Sequence, residues 1–533
     1  MKKIIILFIV LVIPYFALCN ERVGEIFINR IDVFDSTKSD WFFAAPLANK
    51  LHALTKEYII EDELLFSEKD DLDFELLSET ARNLRSTGLF TEVKIMLDSV
   101  NEYIYNVIII TWDRWSTYPA FLFGKGGGNT SIGGRLSELN FLGTGTQIHV
   151  ETLNRSENNI GWQTAAALYQ RRLFRTDFAL NTYFMHNQYR DWQILSIDKP
   201  YRTISSELSY GAYGSNNIGK DFIYWKSDST AIVPTHEKTV SAYFSRAWMK
   251  KDRVFATIYT ELQDVDRGGK MYRRAFDNSG KILIAFSSVS QDFLITNKLN
   301  TYQTEDMTVG GWGSAIIGKT FSLGSKGENL YYVAGQGERS TMRENLYLFG
   351  RAMGSSGFDQ NYGKYTYQEF YGLGFYRLNK ELLIGGRVRQ QSVWNWNAAR
   401  QLILDNDAGL RGYSANRLTG DNRMVGNLEM RYFTDFPLWI FNFSGVLFWD
   451  IGSVWNQGTE IMKAKFHNSA GFGIRLHDTK ATGPSGIYRF DFAFNFDKMK
   501  FAEIIFSTDQ LFSVFAKHEF KLPAMYGTEF DNE

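Results

Sequence analysis

The chain has 533 residues and a formal net charge of −1, so it lacks the excess of lysine and arginine expected of a nucleic-acid-binding protein. Its single cysteine, Cys19, excludes a disulfide framework and a cysteine-ligated metal site. Aromatic residues make up 16% of the sequence, yet the mean hydropathy is only −0.25. A transmembrane β-barrel explains this combination, because lipid-facing apolar residues alternate with lumen-facing polar ones between two aromatic girdles. The alternative, a large secreted soluble β-protein, explains the aromatic content less well.

Residues 1–19 have the pattern of a secretory signal peptide. Two lysines near the start are followed by an apolar run from Ile4 to Phe16. The small residues Ala17 and Cys19 then fit signal peptidase, with cleavage expected after Cys19. The alternative is a lipoprotein acylated on Cys19, although Leu18 is a poor residue directly before a lipobox cysteine.

Residues 20–114 are expected to form a compact α+β domain. Helical patterning at residues 47–65 is followed by a second helix, which Asp73 caps and Gly88 ends. The predicted strands are Ile26–Val33, Phe90–Leu97 and Tyr103–Thr111. The order of elements is therefore strand, helix, helix, strand, strand.

Helical periodicity ends near Tyr118, and alternating segments follow as far as Phe520. Each segment has about ten residues, the length that a tilted strand needs to span a membrane. Counting them predicts a barrel of about 20 strands over residues 115–520, with about 16 strands as the alternative if short segments merge. Longer loops are predicted at Ser215–Glu237, Arg267–Lys281 and Val393–Asn422, and residues 521–533 are assigned to a polar C-terminal tail.

A series of motifs runs through almost the whole chain. They are Ile60–Asp70, Leu76–Val93, Asn140–Gly145 (NFLGTG), Gly409–Tyr413 (GLRGY), Gly426–Phe433 (GNLEMRYF), Phe448–Trp455 (FWDIGSVW), Gly471–Leu476 and Tyr488–Phe496. In this order they resemble the BamA/TamA superfamily of outer-membrane assembly and translocation proteins, the bacterial surface antigen family. The resemblance implies that residues 20–114 are a single periplasmic POTRA domain and that Gly143 and Gly145 form the first periplasmic turn of the barrel.

The resemblance also implies a role for the GLRGY segment, whose arginine folds back into the barrel lumen in that family. A buried guanidinium is costly without a carboxylate partner, and Asp450 of the FWDIGSVW motif is the matching acid. A pair between Arg411 and Asp450 would hold the loop inside the barrel and keep the late strands in register. The supporting lumen and motif residues are Gly412, Tyr413, Glu429 and Gly452. The alternative is that Arg-Gly-Tyr forms an ordinary turn and that Asp450 is an unrelated lumen residue.

Enzyme signatures in the sequence do not have the context that they need. Gly313–Thr320 matches the P-loop pattern, but strand and turn residues follow it rather than a helix. His236 and Glu237 begin a zincin-like pattern, but Val240 occupies the position of the second ligand. We therefore expect no catalytic residue, no metal site and no cofactor.

The function that the resemblance implies is assistance in inserting or translocating polypeptides at the bacterial outer membrane, without covalent chemistry. Strand edges at Ile26–Val33 or Val93–Leu97 would take up an extended client. The barrel would open at a weak seam between a first strand at Tyr118–Gly124 and a last strand at Leu511–Phe520, where glycines such as Gly124 weaken the first hairpin. The seam residues singled out are Tyr118, Gly124 and Phe520.

The alternative function is a passive pore or structural barrel that keeps the same architecture without assembly activity. In either case the expected partners are outer-membrane lipid and lipopolysaccharide. Unfolded barrel proteins or secreted polypeptides are the expected clients, periplasmic accessory proteins are further candidates, and nucleic acid is not expected.

Overall fold

The computed structural model describes residues 21–33, 52–225, 229–250, 252–269, 272–297, 304–324, 327–359, 362–438, 441–478, 487–507, 510–513 and 518–529. The predicted signal peptide, the start of the first helical stretch and residues 530–533 lie outside these ranges. The chain divides into two compact units. The N-terminal unit is Met1–Arg114 with Leu142–Thr144, and the barrel unit is Trp115–Phe141 with Gly145–Glu533. Within the described ranges, no helix combines the length and the apolar character required to cross a membrane.

The N-terminal unit packs two helices against a three-stranded sheet, in the predicted order of elements. Its elements are β1 Arg22–Ile31, α1 Glu57–Glu61, α2 Phe74–Ser86, β2 Phe90–Ser99 and β3 Ile104–Asp113. Asp73 caps α2 as expected, because its carboxylate accepts hydrogen bonds from the backbone N–H groups of Glu75 and Leu76. The core includes the fully buried side chains of Ile60 and Leu84, which pack with residues of β3. The sheet order is β1-β3-β2, so β1 and β2 are its two edges.

Twenty strands of the barrel unit close into an antiparallel barrel, which confirms the predicted fold and excludes 16 strands. The barrel strands are β4 Thr117–Gly126, β5 Asn129–Phe141, β6 Thr146–Arg155, β7 Gly161–Gln170, β8 Ala179–Asn187, β9 Arg190–Lys199, β10 Leu208–Trp225, β11 Ser229–Trp248, β12 Arg253–Arg267, β13 Ser279–Asn297, β14 Thr304–Ser322, β15 Leu330–Arg343, β16 Leu346–Phe358, β17 Gly363–Arg377, β18 Leu382–Trp394, β21 Asn422–Leu438, β22 Phe441–Trp455, β23 His467–Asp478, β24 Ile487–Asn495 and β25 Lys500–Ser507. Two short strands, β19 Leu402–Leu404 and β20 Leu418–Gly420, pair with each other in the long loop between β18 and β21.

The barrel wall has one apolar face and one polar face, and β21 shows the alternation clearly. Its exposed side chains include Leu428, Met430 and Tyr432, and its buried ones include Asn427, Glu429 and Arg431. Because successive residues of a strand point to opposite faces, the apolar set faces lipid and the polar set faces the lumen.

One segment predicted as a loop belongs to two strands, and the segment with the P-loop pattern lies within another strand. Ser215–Glu237 was expected to be a loop, but β10 and β11 extend to 18 and 20 residues and pair through this region, with Ile218 opposite His236. A strand that continues beyond the membrane needs no lipid-facing apolar residues, so its polar composition resembles that of a loop. Gly313–Thr320 lies inside β14, which confirms that its P-loop pattern is a coincidence.

The predicted last strand is wrong. The barrel ends with β25 at Ser507, and residues 510–513 and 518–529 contain no strand. Phe520 is therefore not a seam residue; its ring packs on the lumenal side chains Phe255 and Trp312. Phe512 and Phe520 of this segment pack against aromatic side chains of the barrel wall, and sequence periodicity cannot distinguish such packing from contact with lipid.

Candidate functional site: the lumenal ion network and the barrel seam

The loop between β18 and β21 is fixed by an apolar cluster and by a glycine. Leu404, Leu410 and Tyr413 of the loop form a buried cluster with Val425 of β21. Gly412 has a φ of +81°, a conformation that a residue with a Cβ rarely adopts. A Cβ at this position would also lie 3.1 Å from the Cβ atoms of Ala493 and Ala502. Glycine is thus required both by the turn and by the close approach of the loop to β24 and β25.

Arg411, at the centre of this loop, is fully buried and contacts Asp450 through two parallel hydrogen bonds. Its Nε donates to Oδ2 of Asp450 at 2.7 Å, and its Nη2 donates to Oδ1 at 2.8 Å. The backbone N–H of Arg411 also donates to Oδ2 of Asp450 at 3.3 Å. This planar, bidentate geometry is available to arginine but not to lysine.

The remaining guanidinium nitrogen of Arg411 binds two further carboxylates. Nη1 donates to Oε1 of Glu429 at 2.8 Å and to Oδ2 of Asp491 at 3.0 Å. The three acids come from β21, β22 and β24, so one side chain of the loop connects three strands of the wall. Since each strand is also paired with its neighbours, this contact holds their relative register.

Two further arginines donate hydrogen bonds to these acids, and Arg489 adds an ion pair, with its Nε 3.7 Å from Oδ2 of Asp491. Arg431 donates from Nε to Oε2 of Glu429 at 2.9 Å, and Arg475 donates from Nη1 to Oδ1 of Asp491 at 2.5 Å. The side chains of Arg411, Arg431, Arg475, Glu429, Asp450 and Asp491 are all at most 1% exposed. Positive and negative groups balance within this set. That balance matters because a buried charge without a partner is strongly destabilising.

Polar side chains close the network at its edges. Asn427 donates from Nδ2 to Oδ1 of Asp450 at 2.7 Å and to the carbonyl of Gly409 at 2.6 Å. The hydroxyl of Tyr413 donates to the carbonyl of Asn468 at 3.0 Å. At Gly452, an added Cβ would lie 2.9 Å from Leu404, so this glycine gives the loop room to pack against β22.

Sequence reasoning singled out Arg411, Asp450 and Glu429, and the structure brings them together. Sequence reasoning did not identify Asp491 and Arg475. A signal for Asp491 existed, because Arg489 and Asp491 are two residues apart in a strand where they alternate with the aromatic residues Tyr488, Phe490 and Phe492. The partner of Arg475 could not be identified without the strand register.

The predicted periplasmic turn is the connection between β5 and β6. Gly143 and Gly145 have φ values of +73° and +66°, so both adopt the left-handed conformation that favours glycine. The backbone N–H of Gly145 donates to the side-chain oxygen of Asn140 at 2.8 Å, which closes the turn.

The barrel closes between β25 and β4, and this seam has very little backbone pairing. In the described part of the chain, Phe506 opposite Lys125 is the only register pair that joins these two strands. By contrast, β4 pairs with β5 along its whole length, with Tyr118 opposite Ser137 and Gly124 opposite Ser131. The predicted first strand, Tyr118–Gly124, lies in β4 at the closure, but its partner there is β25 and not Leu511–Phe520, and its pairing with β5 is complete rather than weakened.

Side chains and the long loop supply most of the other contacts at the seam. The rings of Phe123 and Phe506 lie 5.1 Å apart. The Glu503 carboxylate of β25 accepts hydrogen bonds from the N–H groups of Gly127 and Gly128, at 2.7 and 3.3 Å. Ala415 of the loop donates its backbone N–H to the carbonyl of Gly127 at 2.8 Å. The loop that carries Arg411 thus also contacts the hairpin at the seam.

Comparison with known proteins adds a family assignment for the C-terminal part of the barrel. Residues 384–515 match the Omp85 superfamily domain, a range that includes the loop, Arg411 and all three acids. No curated protein sequence matches this chain.

Among solved structures, the chain is similar to BamA from Haemophilus ducreyi lacking POTRA domains 1–3, with 13% identity over 91% of this chain and 84% of that one, and a TM-score of 0.43. It is also similar to CdiB from Acinetobacter baumannii and to CdiB from Escherichia coli, each with 10% identity over 92% of this chain and a TM-score of 0.42. These alignments cover 73% and 76% of the two CdiB chains. The chain thus forms a closed β-barrel of 20 strands, in which residues 384–515 match the Omp85 superfamily domain.

Proposed function

We propose that this protein inserts or translocates polypeptides at the outer membrane by opening its barrel between β25 and β4. The observation that carries the proposal is the seam, where a single register pair among the described residues, Lys125 with Phe506, joins the two strands. The Omp85 superfamily domain supports a role of this general kind. No covalent step is involved.

The chemistry of the seam favours exchange of strands. Backbone N–H and C=O groups in a membrane must find hydrogen-bond partners, because lipid offers none. The edge of β4 that faces β25 has few backbone partners, so an incoming strand would gain a nearly complete ladder there. Opening the seam breaks little backbone pairing, since one register pair joins the strands in the described residues; the Phe123–Phe506 contact and the hydrogen bonds of Gly127 and Gly128 must also separate.

The N-terminal unit would act first, as a POTRA domain that receives the client in the periplasm. Its central strand β3 is paired on both sides; among the described residues, β1 and β2 each have one edge without a partner strand, apart from an isolated bridge of Arg22 to Asp71. These are the two edges, at Ile26–Val33 and Val93–Leu97, that the sequence predicts as binding sites for an extended segment. Pairing of backbone to backbone would recognise the extended form of a client rather than a particular sequence.

A disulfide across the seam tests the proposal. Lys125→Cys with Phe506→Cys places two thiols directly opposite each other on antiparallel strands, the separation that a disulfide needs. The barrel unit has no cysteine of its own, so competing thiols are absent from it. In cells depleted of the native protein, the oxidised variant should fail to maintain the abundance of other outer-membrane barrels, and a reductant should restore it.

The matched control is Leu136→Cys with Val150→Cys, which joins β5 to β6 on the lipid face away from the seam. This disulfide should leave function unchanged. If the locked seam also leaves function unchanged, opening between β25 and β4 is wrong. If depletion alters small-solute uptake while other barrels remain abundant, the protein is a pore and not an assembly factor.

A further inference from the structure

The described residues after the last strand lie inside the barrel, and the first of them are held by aromatic and cationic side chains of the wall. We refer to residues 510–529, of which 510–513 and 518–529 are described, as the lumenal segment. Phe512 is 4% exposed, and its ring centroid lies 5.8 Å from that of Phe375. Its carbonyl accepts a hydrogen bond from Nη2 of Arg431 at 2.8 Å. The lumenal segment therefore begins in direct contact with the ion network.

The middle of the segment binds β15 through two polar side chains. His518 is fully buried, with Nε2 2.7 Å from Oγ of Ser340 and Nδ1 3.2 Å from Oε1 of Glu338. The ammonium of Lys521 lies 2.7 Å from the same Oε1 of Glu338. Since Glu338 projects from the wall into the lumen, His518 and Lys521 supply hydrogen bonds and charge that this buried carboxylate requires.

An aromatic residue follows the histidine and fills a pocket made by three strands or loops. Phe520 packs on Tyr201, Phe255 and Trp312, with ring centroids 5.0, 5.1 and 6.2 Å away. The distances and tilted or edge-on orientations are those of favourable aromatic pairs. The pocket is thus shaped for one aromatic side chain of the chain's own C-terminal segment.

The last part of the segment is held by backbone as well as side-chain contacts. The N–H of Tyr526 donates to the hydroxyl of Tyr332 at 2.7 Å, and the hydroxyl of Tyr526 donates to Oε1 of Gln336 at 3.3 Å. Gly527 has a φ of +77°, and a Cβ there would lie 2.6 Å from the ring of Tyr367. The chain passes so close to β17 at this point that only glycine fits.

A barrel of this size has a lumen that is closed only if something fills it. Barrels with 16 to 18 strands leave an aqueous channel, and wider ones are closed only where something fills the lumen. In this 20-stranded barrel the loop with Arg411 covers β21 to β24. Apart from its contact with Arg431 of β21, the lumenal segment covers β12 and β14 to β17.

We propose that the lumenal segment is a built-in plug, docked in a groove formed by β12 and β14–β17, and that it keeps the barrel closed to ions and small solutes. Its contacts are hydrogen bonds, an ion pair between Lys521 and the buried Glu338, and aromatic packing, with no covalent attachment to the wall. The plug can therefore leave the lumen without breaking the barrel ladder. This proposal does not depend on the polypeptide-insertion activity proposed above.

Conductance of the purified full chain in a planar lipid bilayer tests the plug. The wild-type protein should conduct weakly, and deletion of residues 510–533 should raise the conductance several-fold, because β25 and the rest of the ladder remain. Should the deletion variant fail to fold, the full-length double variant Phe520→Ala with His518→Ala provides the same test through more frequent opening events. Leu522→Ala is the matched control, since Leu522 belongs to the same segment but is 42% exposed; it should behave as wild type.

A crosslinking experiment on the full chain reports the position of the segment directly. Ser340→Cys with His518→Cys should be joined efficiently by a short bifunctional thiol reagent in the folded barrel, and the crosslinked protein should remain weakly conducting. Unchanged conductance in folded variants that lack the plug contacts would overturn the proposal, as would the absence of a crosslink. Neither result depends on client insertion, so failure of the plug and failure of the proposed function can be distinguished.

Discussion

The guanidinium carbon of Arg411 lies 3.6 Å from the centroid of the Phe448 ring, so the buried cation has an aromatic face in contact with it as well as three carboxylates around its edge. Phe448 and Asp450 are two residues apart on β22 and point to the same side of the wall. The strand thus provides both a stacking surface and a bidentate acceptor for one side chain.

Replacement of Arg411 should destabilise the barrel according to how much of this geometry is lost. Arg411→Ala leaves Asp450 without its main cationic partner and should cost about 3–5 kcal/mol, the usual effect of removing one member of a buried ion pair. Arg411→Lys keeps the charge but cannot make the bidentate and stacking contacts, so its cost should be intermediate. The temperature at which the heat-modifiable band shifts on a gel measures both effects. Arg417→Ala, an exposed arginine of the same loop, is the control and should leave this temperature unchanged.

Asp491 should prove as important as the acid that the sequence motif identified. Asp491→Asn weakens contacts to both Arg411 and Arg475, because the neutral amide offers one oxygen where the carboxylate offered two. A double-mutant cycle with Arg475→Gln should give a coupling energy of about 0.5–3 kcal/mol, as expected for side chains in one network. Additive effects of the two substitutions, measured by thermal unfolding in detergent, would show that the pair does not act as a unit.

Glu503 should control how tightly the seam is closed. Its carboxylate accepts from the N–H groups of Gly127 and Gly128, so Glu503→Ala removes contacts between β25 and the first hairpin. In the Lys125→Cys, Phe506→Cys background, disulfide formation should become slower, since the two strands are opposed for less of the time. Glu503→Gln retains a side-chain acceptor, so its rate of disulfide formation should lie between that of Glu503→Ala and that of the protein with Glu503 unchanged. Lys500→Ala, an exposed residue of the same strand, is the control; an equal effect from it would mean that Glu503 has no special part.

The N-terminal unit should show a pH dependence that comes from Asp113. Burial raises the pKa of this carboxyl group, although hydrogen bonds from the backbone N–H and the hydroxyl of Thr55 and the nearby His52 act in the opposite direction. Because the pKa is higher in the folded than in the unfolded state, the proton binds the folded state more tightly. The stabilisation is fully present below the unfolded pKa and is lost as the pH rises through the folded pKa.

Hydrogen–deuterium exchange of β3 amides tests this dependence when wild type and Asp113→Asn are compared at each pH, which cancels the intrinsic pH effect on exchange. Asp113→Asn should flatten the difference in protection between about pH 5 and about pH 7. Identical pH profiles for the two proteins would assign the dependence to another group.

The sequence predicts most of this fold because alternation in a membrane barrel has a strong physical cause. On β21, Leu428 and Met430 face lipid while Glu429 faces the lumen. This alternation can be recognised in the sequence without knowing which strands pair. The motif around Arg411 likewise led to Asp450, since a buried guanidinium requires an acid.

The errors have physical causes too. His236 and Glu237 lie in β11, a strand that extends past the membrane. In such an extension, a polar composition does not distinguish a strand from a loop. Phe512 and Phe520 have the spacing of a strand but pack on rings inside the barrel. The arginine partners of Asp491 depend on strand register, which composition and periodicity do not determine.

The packing of Gly412 between Ala493 and Ala502 sets an order on biogenesis. The loop is synthesised well before these strands, and its carbonyl at Gly412 binds Asn495, 83 residues further along the chain. Its docking site does not exist until β24 and β25 have paired into the barrel. The segment around Arg411 therefore remains undocked until the last two strands are in place, and only then can it bind the barrel wall.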